Sequence, residues 1–226
     1  MLTFTNVVSA TAVYVGSQLD LGQGWRNPST AKTWDLDGDG IYGTAGYEMF
    51  AVHPNGNDSG NGQGPPANHA IQSLPSWVSV TLHTTLSYTG DYSLIDDPNN
   101  VGGNPLWSGI TYYNLGNIGQ TYNILDLTFP GGVSFVRLGI FIGDYAPGVQ
   151  PDQLQVQGTG GDSGRQTVAQ NTGSTVHNDW YFFDLTNIAA GQSVSIFARS
   201  RTTNSGGGAV GISGITFDTP EPSTAV

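Results

Sequence analysis

The sequence has 226 residues and no cysteine. That excludes a disulfide framework, a thiolate metal site and a cysteine nucleophile. Charge is scarce too: charged residues make up 10% of the chain, against about 25% in ordinary soluble domains. Arg26, Lys32, Arg137, Arg165, Arg199 and Arg201 are the whole basic stock, and the formal net charge is −11. A nucleic-acid partner needs clustered cations to neutralise phosphates, so none is expected, and an anionic membrane surface is disfavoured for the same reason. No stretch approaches the roughly 20 apolar residues of a membrane helix. Residues 1–8 have neither the basic start nor the apolar run of a signal peptide; if the protein is exported, that signal is expected to have been removed or left out. Helical periodicity is also missing, because Gly or Pro interrupts every window with apolar residues at three- and four-residue spacing.

Polarity comes from Gly, Asn, Ser, Thr and Gln instead of charge, with 33 glycines in all. Such a neutral, turn-rich, lysine-poor surface points to an extracellular address. Strand signals recur along the chain. Residues 77–84 alternate, with Val78, Val80 and Leu82 on one face and Trp77, Ser79, Thr81 and His83 on the other. Residues 121–129 and 133–142 flank Pro130-Gly131-Gly132 and read as a hairpin. The second of them is apolar on both faces, which places it centrally in a sheet. Residues 180–185 and 193–199 read as a second hairpin-like pair, and 209–217 as a last strand. Further strands are expected at 3–8, 11–16, 47–53 and 107–114. This is an all-β pattern: a single β-sandwich or jelly-roll-like domain of about ten strands over residues 1–217, followed by a tail at 218–226. Residues 54–67 and 157–174, rich in Gly with Asn or with Thr and Ser, are expected to be long surface loops without strands.

The sharpest local feature is Asp35-Leu36-Asp37-Gly38-Asp39-Gly40. Alternating carboxylates before a turn-making glycine begin a calcium loop of the EF-hand type. The twelfth position is Gly46 where a bidentate Glu belongs, with Glu48 two residues later, and no helices flank the loop. Two readings stand: a structural Ca2+ held by Asp35, Asp37 and Asp39, or a solvated acidic turn. His53, His69, His83 and His177 lack metal spacing. No serine elbow, zinc-protease or phosphate-loop motif occurs. Glycosidase chemistry needs two carboxyl groups flanking a sugar. Glu48 and Glu221 are the only glutamates, and most aspartates adjoin Gly, Pro, Asn or a strand end, where turn-making accounts for them. No enzyme is expected. Of the aromatic residues, Trp180, Phe182, Phe183 and Phe217 suit a core. Trp25, Trp34, Tyr42 and Tyr47 surround the acidic loop, and Trp107, Tyr112 and Tyr113 follow a Gly-Asn-Pro turn. These seven are the candidates for stacking on sugars or anchoring an interface.

The tail Pro220-Glu221-Pro222-Ser223-Thr224, directly after a last strand ending in Phe217-Asp218, resembles the sorting signal of PEP-CTERM proteins. Pro220, Glu221 and Pro222 are the motif itself. The block at residues 34–47, Arg137-Leu138-Gly139-Ile140 and Trp180-Tyr181-Phe182-Phe183-Asp184-Leu185 also resemble the secreted β-sandwich domains of that group. The resemblance implies handling by a membrane exosortase during sorting, export to the cell surface of a Gram-negative bacterium, and a tie to exopolysaccharide and biofilm. It does not imply an activity. In the family a membrane helix and a basic end follow the motif. Here the chain stops four residues after Pro222, as expected of a cut chain or of a nearly processed form.

Two functions fit these observations. One is a non-catalytic structural or adhesive protein of the extracellular matrix whose partner is itself, in an oligomer or filament. The β-prone segment at residues 2–8 would add to a neighbour's sheet edge or serve as an ordinary edge strand of its own domain. The other is a calcium-stabilised carbohydrate-binding module whose partner is extracellular polysaccharide.

Overall fold

The computed structural model describes residues 9–21, 43–50, 62–64, 71–95, 106–114, 118–143, 151–169, 177–200 and 209–219. Among them there are fifteen strands and no helix, and the all-β sandwich expected from the strand pattern is the fold. In chain order the strands are β1 (Thr11–Leu21), β2 (Gly46–Met49), β3 (Gly62–Gly64), β4 (Ile71–Ser73), β5 (Ser79–Leu82), β6 (Leu86–Ile95), β7 (Leu106–Asn114) and β8 (Thr121–Phe129). They continue as β9 (Val133–Ile142), β10 (Gln153–Gln157), β11 (Gln166–Thr167), β12 (His177–Ile188), β13 (Gln192–Arg199), β14 (Ala209–Ile212) and β15 (Gly214–Asp218). One sheet has the order β1-β12-β9-β15-β2-β4, the second β11-β10-β13-β8-β5, and a smaller third β14-β7-β6-β3.

The centre of the fold is one long antiparallel ribbon bent at a corner. Residues 121–142 run alongside 177–199. β8 pairs with β13 from Phe129↔Gln192 to Thr121↔Arg199, and β9 pairs with β12 from Val133↔Ile188 to Ile142↔Asp179. Both expected hairpins are thereby corrected. Pro130-Gly131-Gly132 and Ala189-Ala190-Gly191 do not fold neighbouring strands onto each other; they carry the two arms from one sheet to the other, as in a jelly roll. The physical reason is that β8 finds its partner in β13 and β9 in β12, and what closes each corner is the positive φ of Gly132 (69°) and Gly191 (79°). It lets both amides converge on one acceptor, with Gly191 N donating to Phe129 O at 2.8 Å and Gly132 N at 3.3 Å. A Cβ on Gly132 would sit 2.8 Å from Ala190 N. Gly132→Ala is therefore expected to cost roughly 2 kcal/mol in urea denaturation. Gly131→Ala, with open space around it, is the control expected near zero.

Inner faces of both sheets alternate apolar residues into a single core. Leu125, Leu127 and Phe129 of β8 meet Val136, Leu138 and Ile140 of β9, with Leu154, Val156, Val194, Ile196, Phe183 and Leu185 completing it. β9 lies inside its sheet, as its two apolar faces require. Its outer side carries Phe141, stacked at 4.8 Å on Trp180, which in turn stacks at 6.3 Å on Phe182. Phe141 and Trp180 are fully buried although they lie outside the main cluster. The third sheet joins the core through Val210 and Ile212 of β14.

Several local expectations change. Trp77, placed on a polar face by alternation, precedes β5 and packs on Phe129 (6.2 Å) and Phe217 (5.8 Å). Strands occur inside both segments expected to be loops: β3 within 54–67, and β11 within 157–174. Their sequences, Gly-Gln-Gly and Gln-Thr, carry no strand signal, because each is specified by a partner, β6 and β10 respectively. Asp91, Asp126, Asp179 and Asp184 lie in strands, where turn-making does not explain them. Residues 3–8 lie outside the described residues.

Candidate functional site

The outer face of the second sheet is a grid of polar side chains set by the strand register. Gln153-Leu154-Gln155-Val156-Gln157 alternates, and because Leu154 and Val156 enter the core, Gln153, Gln155 and Gln157 share the opposite face. The pairings align rows across three strands. Gln153, Arg199 and Thr121 form one; Gln155, Phe197 and Asn123 the next; Gln157, Ser195 and Asp126 the third. Phe197 is the one aromatic in these rows, and it is half-buried.

At one end of the grid lies a shallow depression, open to solvent and lined by Thr121, Gln153, Gln155, Arg165, Phe197 and Arg199. Two of the chain's six basic residues therefore meet here. Arg199 Nε donates to Gly119 O at 3.1 Å, which fixes the guanidinium at the rim. Neither arginine forms an ion pair with a described residue. Gln153 Oε1 is buried and accepts no hydrogen bond, an arrangement that normally costs the desolvation of the oxygen.

At the other end Asp126 is held by three donors: Ser195 Oγ at 2.6 Å, Asn123 Nδ2 at 2.9 Å and His83 Nε2 at 2.8 Å. Burial works to raise its carboxyl, but these hydrogen bonds together hold it below the ordinary carboxylate range. Asp126 is thus anionic and already occupied, and it orders the grid instead of offering a free base.

The second exposed feature is β1, the end strand of the six-stranded sheet. Val13, Val15 and Leu19 are 51%, 44% and 44% exposed, and they make up three of the four exposed large hydrophobics among the described residues. Gly160 N donates to Ala10 O at 2.8 Å, so contact from the second sheet is confined to the start of the strand. A bulge between Tyr14 and Gly16 interrupts the register with β12.

The nominated residues fall differently. Asp35, Asp37, Asp39, Trp25, Trp34, Tyr42, Pro220, Glu221 and Pro222 lie outside the described residues. Trp107, Tyr112 and Tyr113 share β7. Tyr47 is a correction: it lies in β2 and is 6% exposed, because every residue of that strand is buried and both its faces are covered, so it offers no ring to a ligand. Among the described residues no group of three or more His, Asp or Glu side chains is placed to hold a metal. Phe197, Arg165, Arg199, Gln153 and Gln155 are not among the residues the sequence singles out for a site. Two signals mark them: the Gln-x-Gln-x-Gln alternation, and the apolar alternation of Val194, Ile196 and Ala198, which turns Phe197 and Arg199 to the opposite face.

Comparison with known proteins adds no relative. No family model matches the chain, and neither a curated protein nor a solved structure matches it.

Proposed function

We propose that this chain is a non-catalytic, self-associating structural or adhesive protein of an extracellular bacterial surface or biofilm matrix. The observation that carries this reading is β1: among the described residues, an eleven-residue end strand with three exposed aliphatic side chains. End strands of monomeric proteins are ordinarily blunted by short length or charge, since their unpaired backbone groups template another strand. The occupant is a second copy of this chain, and its β-prone residues 2–8, immediately before Ser9-Ala10, supply the added strand. The resemblance of Pro220-Glu221-Pro222 to a PEP-CTERM sorting motif supports export through an exosortase. In this reading Asp35, Asp37 and Asp39 hold a structural Ca2+ that steadies the assembled form.

Negative-stain electron microscopy of the purified chain, with calcium and with chelator, tests this. Ordered filaments or sheets are expected, with assembly lost in chelator if the acidic loop takes part. Deleting residues 1–8 is expected to leave single particles; filaments that persist after the deletion remove the strand-addition mechanism. Discrete particles of the full chain under both conditions overturn the self-association reading.

A second reading, a carbohydrate-binding module, is favoured by the polar grid on the β10-β13-β8 face. Its hydroxyl, amide and guanidinium groups around one half-buried ring suit a sugar chain.

A further inference from the structure

We infer that the depression between Arg165, Arg199 and Phe197 binds an acidic polysaccharide through its carboxylate groups. This deepens the carbohydrate-binding reading and rests on it. The argument begins with charge. The chain has a net charge of −11 and six basic residues, so carboxylates outnumber the cations they could pair with. Arg137 has such a partner: its Nε and Nη2 donate to Asp184 at 2.8 and 3.0 Å. Arg165 and Arg199 do not. Both line the same shallow depression, and neither is ion-paired to a described residue. A guanidinium presents a planar fork that matches a carboxylate in two parallel hydrogen bonds, so two such groups side by side form an anion-binding rim.

The remaining lining residues define what kind of anion. Phe197 sits between Gln155 and Asn123 in its row and offers an apolar surface of the kind on which a pyranose ring stacks. An inorganic anion supplies no apolar face; a uronic acid supplies one along with its carboxylate. The grid continues from the depression along the strands, with rows spaced by roughly 7 Å, so an extended chain is accommodated better than a single sugar. Asp126 lies two rows from Arg199 and its charge is engaged by His83, Ser195 and Asn123; a second carboxylate, Asp162, is paired with Gln157 at the same end of the grid and accepts from Gly164 N at 2.7 Å.

Affinity electrophoresis of the full chain through gels containing polygalacturonate, dextran sulfate or dextran tests the inference, with circular dichroism confirming the fold of each variant. Polygalacturonate is expected to retard the protein. The Arg165→Gln/Arg199→Gln double variant is expected to bind about ten-fold more weakly or worse, and Phe197→Ala to weaken binding as well. Arg165 is exposed, so Arg165→Gln alone keeps the test valid if a variant at Arg199 fails to fold. Added salt should weaken the interaction. Retardation by dextran alone, lost in Phe197→Ala, would overturn the acidic ligand while upholding a carbohydrate-binding face. Equal retardation by dextran sulfate would reduce the site to charge attraction and overturn the carboxylate assignment. No retardation by any polysaccharide overturns both inference and parent reading.

Discussion

Glu48→Gln is expected to make the protein more stable than wild type at pH 8 by roughly 3 kcal/mol and to leave it unchanged near pH 4. Glu48 occupies the middle of β2, where its cross-strand neighbours are Ile215 and Gln72. Register with Ile215, a core residue, turns its side chain inward, in line with Phe50 two residues on. It is 7% exposed, and Oε2 has no hydrogen-bond partner. Neither cross-strand neighbour carries a charge. Burial therefore pushes the carboxyl up from its ordinary 4.5 to about 7.

The sign follows from proton release. Below about pH 4 the carboxyl is protonated in both folded and unfolded chains, and it contributes no pH dependence. Between the ordinary value and about 7, the unfolded chain has given up its proton and the folded chain has kept it. Unfolding then releases a proton, so rising pH favours the unfolded state until the folded carboxyl also ionises. Wild type should lose stability across that interval at about 1.4 kcal/mol per pH unit, and Glu48→Gln should not. In thermal melts the difference at pH 8 is expected at roughly 6–12 °C for a chain of this size. Parallel melting curves for the two proteins from pH 4 to pH 8 would show that Glu48 is solvated or paired in solution.

The strands legible in the sequence were those whose own residues specify them. β8, β9 and β13 announce themselves by apolar residues at alternate positions or, in β9, on both faces, and the structure places each inside a sheet. β3 and β11 have no such pattern. Gly-Gln-Gly becomes a strand because Ser87, Tyr88 and Thr89 of β6 lie beside it, and no local propensity encodes a partner distant in sequence. The glycine loops were legible as reversals of direction but not as corners. A tight hairpin and a crossing between sheets require the same positive φ; what separates them is whether the flanking strands pair with each other, a non-local fact.

The candidate site divides in the same way. Aromatic residues drew attention because exposed rings bind ligands, yet an aromatic residue's exposure is set by its sheet position. Tyr47 stands close in sequence to an acidic loop, yet it is buried because all four residues of β2 are, which leaves neither face of that strand open. Phe197, by contrast, sits in a strand whose neighbours Ile196 and Ala198 fill the core, and alternation alone turns it outward. Arg165 and Arg199 are 34 positions apart in the sequence, and their convergence depends on β10 lying between β11 and β13.

Val13→Lys/Val15→Lys is expected to abolish filament formation while leaving a folded monomer. Val13 and Val15 are 51% and 44% exposed, so lysine at either position disturbs little of the core, and surface substitutions of this kind usually change stability by less than about 0.5 kcal/mol. Their effect on assembly is of a different order. An added strand of about six residues gains several backbone hydrogen bonds, each worth roughly 1 kcal/mol net, and covers the exposed valines. Lysine at such an edge places a solvated ammonium where the incoming side chains must pack, which is how natural sheets keep their edges monomeric. The bulge between Tyr14 and Gly16 divides the edge, so the two valines test the part before it and at its centre, and Leu19→Lys tests the residues beyond it. Ser79→Lys, on the end strand β5 of the other sheet, is the control: it places a lysine on a different edge, adding one positive charge where the double variant adds two, and is expected to leave filaments intact. Filaments that survive in Val13→Lys/Val15→Lys but fail in Ser79→Lys, scored by electron microscopy and sedimentation velocity, would move the assembly edge from β1 to β5. Filaments that survive both would place self-association away from either edge.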